Sequence, residues 1–472
     1  MATERWSSRL GFLLATVGAA VGLGNIWRFS AVVGQNGGGA YLVPYLVAAV
    51  VCAVPLLVLE LAVGRRLRTD VVSAFRSVDR AYTVLGWVVV AGVALVLSYY
   101  LVLTGWVLGF LLSWVVGAGE ETTFAAFTGG WAPVGAFVAV TVLTGGVVSL
   151  GVRDGIERLS KVVMPTVFAL LVALALYATT LPGHGEALTF LFTPEFAVLA
   201  EPGLWSAAVG QVFFSLSVGQ GIMLTYGSYV DEGTDITRSA LLITVADIGA
   251  ALVAGLVIFP VVFSFGLAPT LGTELAFTTL PAAFASMGAG RVVAVAFFGL
   301  LFFAALSSAV SLLEVGVAAA TNATRLGRRP ATLALTAAVG VAGVPSALSY
   351  SPVDLAVGGR PVLDLVAESV GTFALPVSAV LLLGVFAVAS DRETLRAELG
   401  ALSPLVRYVT PAVLVVVTGA KLVGVGRPAW RLLVDAVRVD PVGGLVAVAA
   451  LAAVGTLGWL VTRRRRATRQ RE

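Results

Sequence analysis

The sequence predicts an all-α membrane protein that crosses the bilayer about twelve times. Of its 472 residues, 58% are hydrophobic and 12% are charged, and the mean hydropathy is +0.98. These values exclude a soluble globular domain of ordinary composition. Each apolar run has about 20 residues or more, enough for a helix to cross a hydrocarbon core about 30 Å thick. The strict alternation of a membrane β-barrel is absent from these runs.

Hydropathy separates the chain into predicted spans joined by short loops. The spans lie at about 9–30, 38–64, 84–117, 133–151, 156–181, 205–230, 238–266, 291–323, 330–350, 362–389, 405–424 and 440–462. Arginine and lysine collect after spans two, four and eight and at the C-terminus. We therefore expect these loops and both termini on the cytoplasmic side of the cell membrane. The positive net charge then faces anionic lipid, and no nucleic-acid partner is expected.

Two spans are interrupted by glycine and polar residues. The first interruption is Gly18–Arg28, and the second is Phe213–Gly221, five spans later. Unwound backbone is tolerated at membrane depth only where protein or a polar cavity receives its polar groups. The pattern predicts a single transporter domain over 1–472, with inverted repeats at about 9–181 and 205–389 and two extra helices at about 405–462. Its binding site is expected near the midplane, where the two broken helices meet.

Few ionisable side chains lie inside the predicted spans, and such residues are usually functional because burying them is costly. They are Arg28, Glu60, Asp247, Glu314, Asp364, Glu368 and Lys421. For Glu60 and Asp247 the residues alone leave open an ordinary position near a helix end. We expect Glu60 to have a structural role, accepting hydrogen bonds from free amides of a broken helix.

Serine hydroxyls also lie in or near the broken spans, at Ser215, Ser217, Ser307 and Ser308. Such hydroxyls commonly bond to a carbonyl one turn earlier in the same helix. They are also suitable oxygen ligands for a small cation. Their convergence on two broken helices favours the cation.

Six segments closely resemble motifs of the neurotransmitter:sodium symporter family, in the order in which that family has them. They are Gly22–Phe29, Asn36–Tyr45, Glu60–Arg65, Gly155–Lys161, Gly210–Ser217 and Ala305–Ser308. The resemblance covers nearly the whole chain and is weakest in spans eleven and twelve. It implies the leucine-transporter fold, inward transport of an amino acid or amine with sodium, and no organic cofactor.

The resemblance also implies where the ions and the substrate bind. One sodium ion would be held by the Ala20 carbonyl, Asn25, Ser215 and Asp247. A second would be held by the carbonyls of Gly18, Val21 and Ala304 and the hydroxyls of Ser307 and Ser308. The substrate would contact Ala20, Leu23, Gly24, Val96, Tyr100, Phe214, Ser215, Ser217, Gln220, Ser308 and Leu312. Arg28 and Asp364 would form the outer gate above the rings of Tyr100 and Phe214.

Departures from the family pattern refine this expectation. Chloride-dependent relatives have serine in place of Ala251 and asparagine in place of Asp247, so the Asp247 carboxylate predicts chloride-independent transport. Monoamine carriers have aspartate in place of Gly22, so glycine predicts a substrate that brings its own carboxylate. The usual inner-gate ion pair corresponds to Thr3 and Asn322, so inner closure is expected to involve other contacts, with Trp6 or Arg5 as candidates.

Gln220 leaves the substrate side chain open. Relatives with apolar pockets often have an aromatic or apolar residue there, whereas an amide can bond a polar side chain or turn away to a backbone carbonyl. The overall expectation is a sodium-coupled amino-acid importer that works by alternating access. An enzyme is not expected, since one cysteine and one histidine offer no nucleophile with a nearby base. A membrane amino-acid sensor and an ion channel are the alternatives.

Overall fold

Long helices make up most of the computed structural model, which describes residues 4–268, 275–324, 326–388, 396 and 399–415. The first half contains α1 (Arg9–Ala20), α2 (Phe29–Gln35), α3 (Leu42–Ala48), α4 (Val54–Leu67), α5 (Val71–Val78), α6 (Thr83–Val116), α7 (Phe124–Thr128), α8 (Ala132–Ser149) and α9 (Arg158–Ala178). The second half contains α10 (His184–Phe192), α11 (Pro202–Ser215), α12 (Ile222–Ser228), α13 (Ile236–Ser264), α14 (Leu280–Ala285), α15 (Gly290–Ala323), α16 (Arg328–Leu348) and α17 (Val362–Leu383). A short antiparallel ribbon, β1 (Ala356–Val357) and β2 (Arg360–Pro361), precedes α17.

Turns of π-helix and 3₁₀-helix extend several of these elements. The π-helical turns are Gly24–Arg28, Ala49–Ala53, Val152–Glu157, Leu275–Thr279, Gly384–Val388 and Leu405–Val409. The 3₁₀ turns are Gly38–Tyr41, Arg80–Tyr82, Phe196–Ala200 and Gly400–Leu402. Turns of π-helix inside longer helices frequently mark functional positions, and the first of these lies in the interrupted first span.

Eight continuous helical segments in the described part of the chain are long and apolar enough to cross a membrane. They are Gly38–Leu67, Arg80–Val116, Ala132–Ser149, Val152–Ala178, Ile236–Ser264, Gly290–Ala323, Arg328–Leu348 and Val362–Val388. A ninth is a broken span, Arg9–Ala20 with Gly24–Gln35, which bends by 53°. The predicted all-α polytopic membrane fold is confirmed.

The predicted spans and the observed helices differ mainly at their ends. The first broken span continues to Gln35, five residues beyond its predicted end at residue 30. The sixth span is divided into α11 and α12 around the predicted interruption at Phe213–Gly221. The eleventh predicted span is described only as far as Val415, and the twelfth, 440–462, lies outside the described residues. The predicted division into repeats stays a prediction.

The first break occurs between α1 and the π-helical turn Gly24–Arg28. Helix α1 ends at Ala20, and Val21 has extended backbone angles of φ −72° and ψ 106°. Gly22 then approaches α15 and α6 so closely that a Cβ atom would lie 2.6 Å from Ser308 Oγ and 3.2 Å from the Tyr100 hydroxyl oxygen. A glycine is therefore required at Gly22 for this packing.

The second break lies between α11 and α12. Gly219 and Gly221 have φ values of +82° and +74°, and Ser217 has a φ of +52°. A positive φ is uncommon for a residue with a side chain, and it occurs most often at functional positions. Ser217 is held there by its hydroxyl, which donates to the Ala19 carbonyl at 2.8 Å. The hydrogen bond joins the second broken helix directly to the end of α1.

Helices α6 and α15 pack against each other along the centre of the bundle, with α8, α16 and α17 around α6. Helix α1 packs against α9, α13 and α15, while α11 and α12 pack against α3 and α4.

The outer surface is apolar: Val162, Val245 and Val341 are 66%, 69% and 72% exposed. Such a surface suits a surrounding lipid bilayer, and the broken helices lie inside the ring of outer helices.

Candidate functional site

Asp247, Asn25 and Ser215 form a hydrogen-bonded cluster where the first broken helix meets α11 and α13. Asp247 is fully buried in the middle of α13, which excludes the helix-end position. Its Oδ1 accepts from Asn25 Nδ2 at 2.7 Å, and its Oδ2 accepts from Ser215 Oγ at 2.8 Å. Asn25 Oδ1 in turn accepts from the Gly22 amide at 3.0 Å. Three of the four groups predicted for one sodium ion are therefore in contact, beside the unwound segment that follows Ala20.

The residues predicted for the second ion lie at the interface of α1 and α15. Ser308 Oγ is 3.5 Å from the Gly18 carbonyl oxygen, and the hydroxyls of Ser307 and Ser308 lie 2.9 Å and 3.2 Å from the Ala304 carbonyl oxygen. Val21, which follows α1, is fully buried. The hydroxyls thus make the ordinary local bonds of helical serine while also facing the Gly18 carbonyl.

These two clusters are composed of neutral oxygen groups and one carboxylate. Within the described ranges, no group of three or more histidine, cysteine, aspartate or glutamate side chains is placed to hold a metal ion. Oxygen ligands of low total charge suit a hard monovalent cation better than a transition metal.

A small cavity of about 30 Å³ lies between the two broken helices, and we call it the central cavity. Its lining residues are Ala20, Gly22, Gly24, Val96, Tyr100, Phe214, Ser217, Gln220, Ser308, Leu312 and Leu375. Nine of the eleven residues predicted to contact substrate line it. The other two are Leu23, which lines the cavity above, and Ser215, which is in the Asp247 cluster. Leu375 was missed because an apolar residue in an apolar span carries no distinguishing pattern.

A second, larger cavity of about 300 Å³ lies above the first, and we call it the outer cavity. Its lining residues are Leu23, Gly24, Trp27, Arg28, Tyr99, Tyr100, Leu103, Phe214, Ala367, Glu368 and Gly371. Gly24, Tyr100 and Phe214 line both cavities. The two rings therefore lie between the central cavity and the outer one.

Arg28 is held over the Phe214 ring. Its guanidinium carbon lies 4.5 Å from the ring centroid, within the range of a cation–π contact. Its Nη1 donates to Gln211 Oε1 at 2.7 Å, and Gln211 Nε2 donates to the Gly24 carbonyl at 2.8 Å. Gln211 thus connects the arginine to the unwound backbone. The sequence contained a signal for this role, since Gln211 is an amide within a predicted membrane span.

The predicted ion pair between Arg28 and Asp364 is not formed in this conformation. Asp364 lies in the first turn of α17 and accepts a hydrogen bond from the Tyr350 hydroxyl at 2.7 Å. Burial, together with this bond, raises the pKa of Tyr350, so the hydroxyl stays protonated and donates. Glu368, one turn further along α17, lines the outer cavity and pairs with Arg360. The Arg28–Asp364 gate therefore stays a prediction.

Glu60 contacts the second broken helix as expected. It is buried in α4, and its Oε1 accepts from the Gly219 amide at 2.5 Å. The amides of Gly221 and Leu224 also face this carboxylate. The first N–H groups of a helix have no partner within it, so Glu60 stabilises the start of α12. This geometry fits a structural role.

Residues 4–8 cover the end of the bundle that we call the amino-terminal face. Trp6 Nε1 donates to the Tyr226 carbonyl at 3.0 Å, and Arg5 lies 3.6 Å from Asp231. Both candidates for inner closure therefore make contacts there. Thr3 lies outside the described residues, and Asn322 donates to Asp70 Oδ2 at 2.8 Å.

Three further contacts on the amino-terminal face were not foreseen. Glu157 accepts from the Ser7 amide at 2.6 Å, and its side chain is 1% exposed. Arg328 lies 3.4 Å from Glu4 and 2.5 Å from the fully buried Glu314. The contacts of Ser7 and Glu4 join residues far apart in sequence, and Glu314 and Arg328 lie on different helices, so no local pattern in the chain identifies these contacts.

Comparisons with known proteins agree with this geometry. The profile of the sodium:neurotransmitter symporter family matches residues 3–117 and 134–402. The Bacillus subtilis protein named uncharacterized sodium-dependent transporter YhdH is 36% identical over 392 residues, covering 80% of this chain and 86% of the relative. The bovine sodium-dependent neutral amino acid transporter B(0)AT2 is 29% identical over 296 residues, covering 55% of this chain and 41% of the relative.

A solved structure is similar over most of the chain. The crystal structure of MhsT in complex with L-phenylalanine superimposes with a TM-score of 0.81 at 36% sequence identity. The match covers 88% of this chain and 98% of that protein. The ranges matched by the family profile contain both broken helices and every residue that lines the two cavities.

Proposed function

The chain belongs to the sodium:neurotransmitter symporter family and is a sodium-dependent membrane transporter, and we propose that its cargo is an α-amino acid. One observation carries the proposal. The cavity between the two broken helices adjoins a buried carboxylate, Asp247, whose hydrogen-bond partners Asn25 and Ser215 are both neutral. Such a site can bind a cation and a zwitterion side by side.

The substrate carboxylate is proposed to bind the amides of Leu23 and Gly24. These residues begin a helical segment, where N–H groups lack partners within the helix and the dipole favours an anion. The crowding at Gly22 supports a substrate that brings this carboxylate, since a Cβ there would lie 2.6 Å from Ser308 Oγ. An aspartate at this position, as in monoamine carriers, would require the Ser308 side chain to move.

The substrate ammonium group is proposed to face carbonyl and hydroxyl oxygens. Helix α1 ends at Ala20 and α11 ends at Ser215, and the last carbonyls of a helix have no partner within it. Ser217 lies just beyond the end of α11 and lines the same cavity. The carboxylate would thus meet N–H groups of the first broken helix, and the ammonium group would meet oxygens at Ala20 and on the second broken helix.

Sodium is proposed to travel as co-substrate at two sites. One would use the Ala20 carbonyl, Asn25, Ser215 and Asp247. The other would use the carbonyls and hydroxyls of Gly18, Val21, Ala304, Ser307 and Ser308. Because Asp247 supplies a fixed negative charge, we expect transport without chloride.

The outer gate is proposed to close when a carboxylate of α17 pairs with Arg28 above the rings of Tyr100 and Phe214. The predicted partner is Asp364. Glu368 is a second candidate, because it lines the outer cavity together with Arg28. Comparing Asp364→Asn with Glu368→Gln in an uptake assay identifies which carboxylate the gate uses.

The amino-terminal face is proposed to be cytoplasmic, in a cell membrane. Four basic residues lie in or near this face, where each contacts a carboxylate. The pairs are Arg5–Asp231, Arg68–Glu232, Lys161–Glu157 and Arg328–Glu4. A concentration of basic residues at one end of the bundle is the pattern expected of the cytoplasmic side.

The proposal is tested by uptake into proteoliposomes. Purified protein is reconstituted, an inward sodium gradient is imposed, and accumulation of radiolabelled amino acids is measured in chloride and in gluconate. We expect at least one amino acid to accumulate above its external concentration, equally in both anions. Dissipative flux that only follows the substrate gradient would indicate a channel, and sodium-dependent binding without uptake would indicate a sensor.

A further inference from the structure

Gln220 is a buried amide without a hydrogen-bond partner. It is 4% exposed and lines the central cavity between the broken helices. Among the residues that the structure describes, no hydrogen bond reaches its side chain, which is therefore not turned to a backbone carbonyl of its own helix. An apolar ligand group that filled the cavity would cover this amide and leave it unsatisfied, so a ligand that bonds Gln220 should bind more tightly than one that does not.

The three other polar side chains lining the cavity are already engaged. Ser217 donates to the Ala19 carbonyl, and Ser308 donates to the Ala304 carbonyl at 3.2 Å. The Tyr100 hydroxyl interacts with the Ser308 side chain and the Leu23 backbone. The remaining wall contains the apolar side chains of Val96, Leu312 and Leu375. Gln220 is thus a single free amide among apolar groups.

The backbone on both sides of Gln220 is fixed. A Cβ at Gly219 would lie 2.4 Å from the Ala379 Cβ, and one at Gly221 would lie 2.5 Å from Val71 Cγ2. The Gly219 amide is also held by Glu60 at 2.5 Å. Residue 220 therefore projects its side chain from a closely packed turn, as a specificity-determining group should.

We propose that Gln220 makes this transporter selective for amino acids whose side chain carries a neutral hydrogen-bonding group. This inference rests on the proposed amino-acid cargo and names its class. An amide both donates and accepts, so hydroxyl and carboxamide side chains fit equally. Among the lining residues only Tyr100 is titratable, and the adjoining Asp247 is assigned to sodium, so no further charge is left to balance a charged side chain.

The test compares pairs of amino acids that differ in one hydrogen-bonding group. The pairs are threonine with valine, glutamine with methionine, and tyrosine with phenylalanine. Dissociation constants are obtained from sodium-dependent thermal stabilisation of the detergent-purified protein, and uptake is measured in proteoliposomes. Wild type should prefer the hydrogen-bonding member of at least one pair by about tenfold or more.

The variant Gln220→Met keeps the length of the side chain and removes its donor and acceptor. Its preference should fall to about threefold or less, or reverse, while sodium alone still stabilises the protein. The matched control, Leu375→Met, places the same new side chain in the same cavity and should retain the wild-type preference.

Two results overturn the inference, and they are distinguishable. If wild type binds the apolar member of every pair at least as well, or Gln220→Met keeps the preference, the amino-acid cargo stands and the role of Gln220 is wrong. If no amino acid stabilises or enters with wild type, the proposed cargo is wrong and the inference is overturned with it.

Discussion

Replacing Asp247 by asparagine removes one negative charge from the proposed ion site and changes little else. The asparagine has the same shape, and its carbonyl can still accept from Asn25 Nδ2, which lies 2.7 Å from Asp247 Oδ1. The contact with Ser215 can be retained with its direction reversed. The variant therefore isolates the contribution of charge to sodium binding.

The size of the effect follows from the burial of Asp247, which is 0% exposed. Two unit charges about 4 Å apart interact by about 4 kcal/mol at an effective dielectric constant of about 20. Each 1.4 kcal/mol corresponds to about a factor of ten in affinity, so the upper limit is about a 1,000-fold loss. Some of this loss is offset because the asparagine carbonyl still offers a neutral oxygen ligand, and we expect sodium affinity to fall by about 30-fold to 1,000-fold.

Sodium affinity is measured from thermal stabilisation at increasing sodium, with N-methylglucamine maintaining ionic strength and gluconate replacing chloride. The matched control is Asp235→Asn, the same charge change at the N-cap of the same helix. Asp235 accepts from the Arg238 amide, and asparagine caps a helix equally well. It lies about 18 Å from Asp247 along α13. Wild-type sodium affinity for Asp247→Asn in chloride-free buffer would refute the reasoning.

Three further substitutions test separate parts of the structure. Glu60→Gln should lower stability by about 1.5–3 kcal/mol, because it removes a charged acceptor from the Gly219 amide; an unchanged melting temperature would contradict this. Arg28→Gln should reduce uptake at least tenfold while sodium-dependent stabilisation persists, and normal uptake would show that Arg28 is not part of the gate. Glu314→Gln should destabilise the protein by no more than about 3 kcal/mol, which is less than the cost of removing one partner from a fully buried ion pair. The cost is smaller because Arg328 is 18% exposed and keeps its contact with Glu4. Denaturation of the detergent-solubilised variants measures the first and third effects, and proteoliposome uptake measures the second.

The sequence predicted the broken helices because their interruption is local. Glycines with positive φ and short polar residues are visible in a single stretch of chain, and Gly219 and Gly221 have such angles. Asp247 could also be singled out, since a carboxylate inside an apolar run is rare. The sequence alone could not exclude that Asp247 lies near a helix end. The observed bounds of α13 exclude it.

Pairings across the bundle could not be predicted from the sequence. Arg28 lies near Gln211, 183 residues away, and Ser7 contacts Glu157, 150 residues away. Which face of a uniformly apolar helix turns inward depends on packing, and no amphipathic pattern marks it. For the same reason the sequence did not distinguish Asp364 from Glu368, one turn apart on α17, as the carboxylate beside the outer cavity.

Helix α1 joins the proposed ion sites to the amino-terminal face. Its twelve residues span about 18 Å as a continuous helix, with Gly18 near one end and Ser7 just before the other. Opening the amino-terminal face by moving α1 would break the contact of Ser7 with Glu157 and also move the Gly18 carbonyl away from Ser308. A cation bound between Gly18 and Ser308 therefore favours the closed arrangement, and by linkage the contacts on the amino-terminal face favour cation binding.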